Sequence, residues 1–146
     1  MRAKIILSVL ALSLAFITSA QDLKESEVPA GLLEAFKKEH PNVRGVEWER
    51  DGAYYKVEFK RDSRDQEIWY DDKGQILRSK EDITVAELPE AVAVSIKKNY
   101  HQFKTDDIEK WTEGRAITYK VELKSSDGDR NVIFDKNGQV LVDVMD

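Results

Sequence analysis

The side chains of this 146-residue chain that could do chemistry are two histidines, 28 carboxylates and scattered serines. His40 and His101 could ligate a metal or shuttle a proton, but they do not stand at matching places in the chain's own pattern. His40 falls opposite Tyr100, and His101 falls opposite Pro41. A shared metal site would need both rings beside common carboxylates, so the expectation is a helix-end ring at His40 and no zinc. The acidic turns Asp71-Asp72-Lys73-Gly74 and Asp135-Lys136-Asn137-Gly138 look superficially like calcium loops. A calcium loop needs a ligating side chain five positions before its glycine, and here Trp69 and Ile133 stand there. Both segments are expected to be hairpin turns, in which Asp, Asn and Gly favour the backbone shape. Serines 63, 79, 95, 125 and 126 lie outside any nucleophile-elbow context. The reading is therefore not an enzyme, with no catalytic residue, no metal and no cofactor.

Composition narrows the partners. Arg2 and Lys4 precede an apolar run from Ile5 to Ile17, and Thr18-Ser19-Ala20 supplies small residues before Gln21. That order is the pattern of a secretory signal, and the run is shorter than the roughly 20 residues a membrane span needs. Residues 1–20 are expected to be removed, giving a periplasmic or secreted protein with no membrane insertion afterwards. From Gln21 onward, 21 cations face 28 carboxylates, a net charge of −7. Nucleic acid and anionic membranes both need clustered positive charge, so neither is expected as a partner. The absence of cysteine excludes a disulfide framework and thiolate chemistry.

The elements that must position any site are written twice. Val28-Pro29 through His40 lies over Leu88-Pro89 through Tyr100 at an offset of 60, with proline, the Lys-Lys pair and the apolar positions coinciding. Tyr55-Lys56-Val57-Glu58-Phe59 then matches Tyr119-Lys120-Val121-Glu122-Leu123 at an offset of 64. Tyr70 through Leu77 matches Phe134 through Leu141 at the same offset. The four-residue drift is expected in loops around residues 101–116, where added length costs little. With Val46-Glu47-Trp48 lying near Ile108 to Trp111, four blocks in one order make a tandem repeat, divided as 21–84 and 85–146.

Each copy reads as a helix followed by about four antiparallel strands. Leu32, Phe36 and His40 share one helical face, as do Leu88, Val92, Ile96 and Tyr100. Strict alternation puts Tyr55, Val57 and Phe59 on one face of a strand, and Tyr54, Lys56, Glu58 and Lys60 on the other. In the second copy Ile117, Tyr119, Val121 and Leu123 point inward, while Thr118, Lys120, Glu122 and Lys124 point outward. The expected fold is α+β: one antiparallel sheet with both helices on one face and the opposite face open to solvent.

Aromatic residues mark that open face. Trp48 and Trp111 recur at the same repeat position and are both expected in the core beside the helices. Trp69 alternates with Ile68 and Tyr70, so it should face outward with Tyr54 and with Ile133, its repeat counterpart, either exposed there or packed against the other repeat or a loop. Clustered large apolar side chains on a surface signal an interaction site, and Trp and Tyr often dominate binding energy. Lys56, Glu58, Lys120 and Glu122 would rim the patch. On this reading, Trp69→Ala and Tyr54→Ala should abolish binding without changing the thermal melt.

The blocks Val-Glu-Trp-Glu, Tyr-Tyr-Lys-Val-Glu-Phe and Ile-Trp-Tyr-Asp-Asp-Lys-Gly-Gln-Ile-Leu, behind the Lys-Lys helix, resemble the PepSY-like, β-lactamase-inhibitor-like family. The resemblance runs over residues 28–144. It implies an exported bacterial protein of two helix-plus-four-strand repeats, with a sheet face available for protein contact and no catalytic residues to carry over. β-Lactamase inhibitors of this shape carry disulfides, and this chain departs from them in having no cysteine. Two functions follow. One is a non-catalytic protein-interaction or inhibitor-like module using the open face, with an exported protein as partner. The other is a small-ligand or envelope-stress binding protein with a site between the repeats. The exposed sheet edges leave the oligomeric state open.

Overall fold

The computed structural model describes residues 20–146; the export signal expected over residues 1–20 lies, but for Ala20, outside the described residues. The first repeat begins with a short strand β1 (Gln21–Leu23), a single 3-10 turn and helix α1 (Ala30–Glu39). Four strands follow: β2 (Arg44–Asp51), β3 (Tyr54–Arg61), β4 (Arg64–Tyr70) and β5 (Ile76–Asp82). A second 3-10 turn leads into α2 (Glu90–Asn99), then β6 (Lys104–Glu113), β7 (Ala116–Lys124), β8 (Arg130–Asp135) and β9 (Val140–Met145). All nine strands form one antiparallel sheet in chain order, β1 to β9. Among the described residues, no helix is long and apolar enough to cross a membrane.

Both helices sit where sequence patterning puts them, and for the same reason. Pro29 and Pro89 precede the first helical residue, a place where the missing N–H costs no hydrogen bond. Leu32 and Phe36 then bury against Trp48, Val57, Phe59, Ile68 and Tyr70. Val92 and Tyr100 bury against Ile108, Tyr119, Val121, Leu123, Val132 and Phe134. Registered pairing carries Phe59 through Gln66, Glu81 and Lys110 to Tyr119, so both helices cover the same face. Between the two apolar clusters runs a polar strip, in which Lys110 Nζ donates to Glu81 across 3.0 Å.

The repeat reaches further toward the N-terminus than helix patterning indicates. Asp22 pairs with Glu49 in the first copy, and Asp82 pairs with Glu109 in the second. Strand β1 is thus a stub of the strand that β5 supplies in full to the next repeat. The four-residue drift also has a different origin from an inserted loop. Trp48 pairs with Val57, whereas its counterpart Ile108 pairs with Val121. The β6–β7 hairpin is longer by two residues on each strand, adding the pairs Thr112↔Ile117 and Glu113↔Ala116. Extra length here is stabilised by ladder hydrogen bonds instead of being left as open loop.

The two acidic segments are hairpin turns. Asp71 Oδ1 accepts from the backbone N–H groups of Lys73 and Gln75, and Asp135 Oδ1 accepts from those of Asn137 and Gln139, all at 2.8–2.9 Å. Each carboxylate is consumed in holding its own turn.

His40 closes α1 as a helix-end ring. It stacks on Phe36 at 5.0 Å and lies 5.1 Å from the Phe59 ring. Arg61 donates to His40 Nδ1 at 2.5 Å, which requires that nitrogen to be an unprotonated acceptor. Burial first, and then the Arg61 charge, hold the His40 pKa below its ordinary value of 6.5. The unfolded chain therefore takes up the proton more readily than the folded one. Stability from this site is full above that ordinary value and is lost as pH falls through the lower folded value. Urea midpoints measured at about pH 7.5 and about pH 5 should fall less on acidification in His40→Gln than in the parent chain.

Candidate functional site on the open sheet face

The face opposite the helices can be followed strand by strand through the pairing. One row runs Asp22, Glu49, Lys56, Trp69, Arg78, Glu113, Ala116. The next runs Glu47, Glu58, Glu67, Lys80, Trp111, Thr118, Asp135. A third runs Asp82, Glu109, Lys120, Ile133, Val142, and a fourth Glu122, Asn131, Val144. These rows hold ten carboxylates and four cations, and the pairs that continue them add Asp51, Asp65, Arg44, Lys60, Lys104 and Lys124, so the face carries twelve carboxylates, eight cations and four net negative charges.

The seven residues singled out from sequence all belong to this face, but they do not make one exposed cluster. Tyr54 is 46% exposed at its upper margin. Ile133 lies two strands beyond β6, half-buried between Lys120 and Val142. Trp69 points outward as its alternation requires, yet it is only 5% exposed. The cause is Trp111, which is not in the helix-side core. The longer hairpin carries Trp111 to the open face, where its ring stacks on Trp69 with centroids 5.7 Å apart and planes 26° from parallel. Trp48 alone fills the helix-side position, packed on Phe36 and Tyr70.

Cations close over the pair. The Arg78 guanidinium lies 4.3 Å from the Trp69 ring centre and 6.0 Å from that of Trp111, and Lys56 Nζ lies 5.7 Å from Trp69. Such contacts are attractive through the ring quadrupole. The Trp111 indole N–H donates to Glu109 at 2.9 Å, while that of Trp69 is buried without a partner. Beside this stack, Tyr54, Leu77, Arg78 and Glu113 border a shallow hollow of about 490 Å³.

Around the stack the cations are held by carboxylates. Lys56 bonds Glu58 and reaches Glu49 at 3.3 Å and Glu67 at 3.4 Å. Burial works to lower the Lys56 pKa, but these three glutamates outweigh it and keep the ammonium charged. Lys80 bonds Glu67, and Lys120 reaches Glu109 at 3.6 Å. Lys124 lies 3.5 Å from Asp106 and 3.0 Å from Glu122, so a lysine already pairs with two of the three carboxylates in the acidic corner that Asp106, Asp107 and Glu122 form among the described residues. Glu47, Glu58 and Glu67 nevertheless stand directly opposite one another on adjacent strands. Like charges so placed destabilise a sheet, and Lys56 and Lys80 partly offset this at Glu58 and Glu67. Nearby, burial raises the Asp82 pKa, and Lys80 only partly offsets this against the acids Asp65, Glu109 and Asp107.

Sequence reading missed Trp111, Arg78, Lys80, Glu67 and Glu109 as members of this face. Strand parity counted outward from the Gly114 turn would have found Trp111, because its pairing partner is Thr118, already placed outward.

The family described as "Putative beta-lactamase-inhibitor-like, PepSY-like" matches residues 17–78 and again 54–142. No curated protein matches the chain. Solved structures share the fold. A DUF2874 family protein from Bacteroides uniformis is 23% identical, with a TM-score of 0.68 over 80% of this chain and 88% of that one. A protein from Bacteroides eggerthii described as a putative periplasmic protein is 20% identical, with a TM-score of 0.69 over the same shares. A BLIP-like protein from Bacteroides fragilis is 22% identical, with a TM-score of 0.65 over 80% of this chain and 85% of that one.

Proposed function

This chain belongs to the PepSY-like, β-lactamase-inhibitor-like family, and from that premise we propose that it is a non-catalytic, exported binding protein that engages another protein through its open sheet face. The observation that carries the reading is the uncovered face itself, with twelve carboxylates against eight cations around a central tryptophan pair. A partner that fits it presents lysine and arginine side chains around a flat, partly apolar patch. Complementary charge of this kind speeds encounter and fixes orientation. The apolar run before Gln21 and the periplasmic description of the Bacteroides eggerthii relative support an exported location.

The test is capture from a fraction of exported proteins, using side chains that can change without harming the fold. Tyr54, Glu58 and Glu122 are accessible enough for this; Trp69, stacked on Trp111, is not. Tyr54→Ala combined with Glu58→Lys and Glu122→Lys should recover about tenfold less partner at an unchanged melting temperature, as a loss of about 1–2 kcal/mol of binding implies. Bound partner should elute in about 1 M salt, where charges are screened beyond roughly 3 Å. Recovery of the same proteins by parent and triple variant would overturn the reading.

A further inference from the structure

The last strand reverses the usual logic of sheet edges. Exposed edge strands are normally blunted with charge, because their free N–H and C=O groups invite another strand. Strand β5 is the repeat counterpart of β9 at the offset of 64, and β5 is covered by β6. Yet the covered strand carries Arg78, Lys80 and Glu81, where the uncovered one carries Val142, Val144 and Met145. Val142, Val144 and Met145 are 41%, 49% and 62% exposed, and Val140 and Leu141 beside them are also exposed. The one charge on β9, Asp143, turns back to accept from Arg130 Nε at 2.7 Å and from the Tyr100 hydroxyl at 2.9 Å.

We infer that β9 is a self-association edge, on which a second copy of this chain pairs its own β9 antiparallel about a two-fold axis. Three observations select a second copy. The fold already contains the joint: the last strand of the first repeat receives a strand of another unit of the same kind, edge to edge and antiparallel. Charge then decides where two copies can meet. The carboxylates of the open face concentrate over β2 to β6, where a second acidic copy is repelled, whereas β8 and β9 present Ile133, Asn131, Val142 and Val144 there, with Asp135 as their one charge. Finally, the opposite edge is the three-residue β1 carrying Asp22, too short and too acidic to serve as the complementary half of a head-to-tail chain. Pairing β9 with itself closes the assembly at two copies. Both open faces then lie on the same side of one continuous sheet, and the apolar side chains of the two strands cover each other.

The experiment is sedimentation velocity on soluble protein expressed from the full sequence, from low-micromolar to near-millimolar concentration. The parent chain is expected to be a dimer that dissociates on dilution. Val142→Lys with Val144→Lys should be monomeric throughout, while Val85→Lys with Val94→Lys, which changes exposed apolar residues elsewhere, should remain dimeric. Hydrogen exchange along β9 should be slower in the parent than in the β9 variant, a readout that loss of surface hydrophobicity alone would not move. A parent that stays monomeric overturns the inference, as does a dimer that survives both β9 substitutions. Filaments that lengthen with concentration overturn the two-fold arrangement.

Discussion

Gly138→Ala is expected to destabilise the second repeat by about 2–5 kcal/mol, while Gly74→Ala at the corresponding turn should cost only about 1–2 kcal/mol. Both glycines hold left-handed backbone, at φ of +80° and +79°, so both substitutions carry the steric penalty of a side chain in that region. The difference comes from what a β-carbon would meet. At Gly138 it would fall 2.3 Å from the Ala91 carbonyl oxygen and 2.7 Å from its carbon; at Gly74 the nearest atom is a Leu32 methyl at 3.8 Å. Ala91 lies in the first turn of α2, so the overlap is backbone against backbone and no rotamer relieves it. The helix or the β8–β9 turn must shift, loosening the cluster around Val92 and Phe134. Urea unfolding followed by tryptophan fluorescence and circular dichroism measures both costs. Equal midpoints for the two variants would mean that the turn does not press on the helix.

Trp69→Ala should cost about 3–5 kcal/mol, the range for removing a large buried aromatic side chain. Trp69 falls within the burial range of the helix-side core, although it points to the other side of the sheet. Its removal uncovers Trp111, leaves Arg78 with one ring in place of two and opens a hollow in the middle of the acidic face. Trp69→Phe should cost far less, because it keeps most of the packing and discards an indole N–H that has no partner. A loss below about 1 kcal/mol for Trp69→Ala, as expected of an exposed residue, would contradict the stacked arrangement.

Much of this fold was legible because each signal was local and repeated. Helical spacing in Leu32 and Phe36, alternation in Tyr55, Val57 and Phe59, and the Asp-to-Gly turns each specify an element without help from distant residues. Strand parity also assigned Tyr54, Lys56, Glu58, Trp69, Lys120, Glu122 and Ile133 to the side away from the helices, where the structure places them. Parity does not report burial, which depends on the neighbouring strand. Trp69 is covered by a residue 42 positions along the chain, brought across by the β5–β6 joint and the longer β6–β7 hairpin. Sequence comparison between the repeats misled at Trp111 because it aligned tryptophan with tryptophan. Pairing aligns Trp48 with Ile108, and so Trp111 with Asp51. Strand β1 escaped notice because three residues carry no readable period. The concentration of negative charge became visible only once nine strands lay side by side, since along the chain lysines and glutamates alternate.

The claim that the open face is the binding surface is tested most directly by photo-crosslinking in exporting cells. A photoreactive residue replaces Tyr54 or Glu122 on the open face, or Glu34 or Lys98 on the exposed side of a helix. The account predicts a discrete higher-mass adduct with a basic protein from the two open-face positions and none from the helix positions. Adducts from the helix positions alone would contradict it, as would the absence of an adduct from either open-face position.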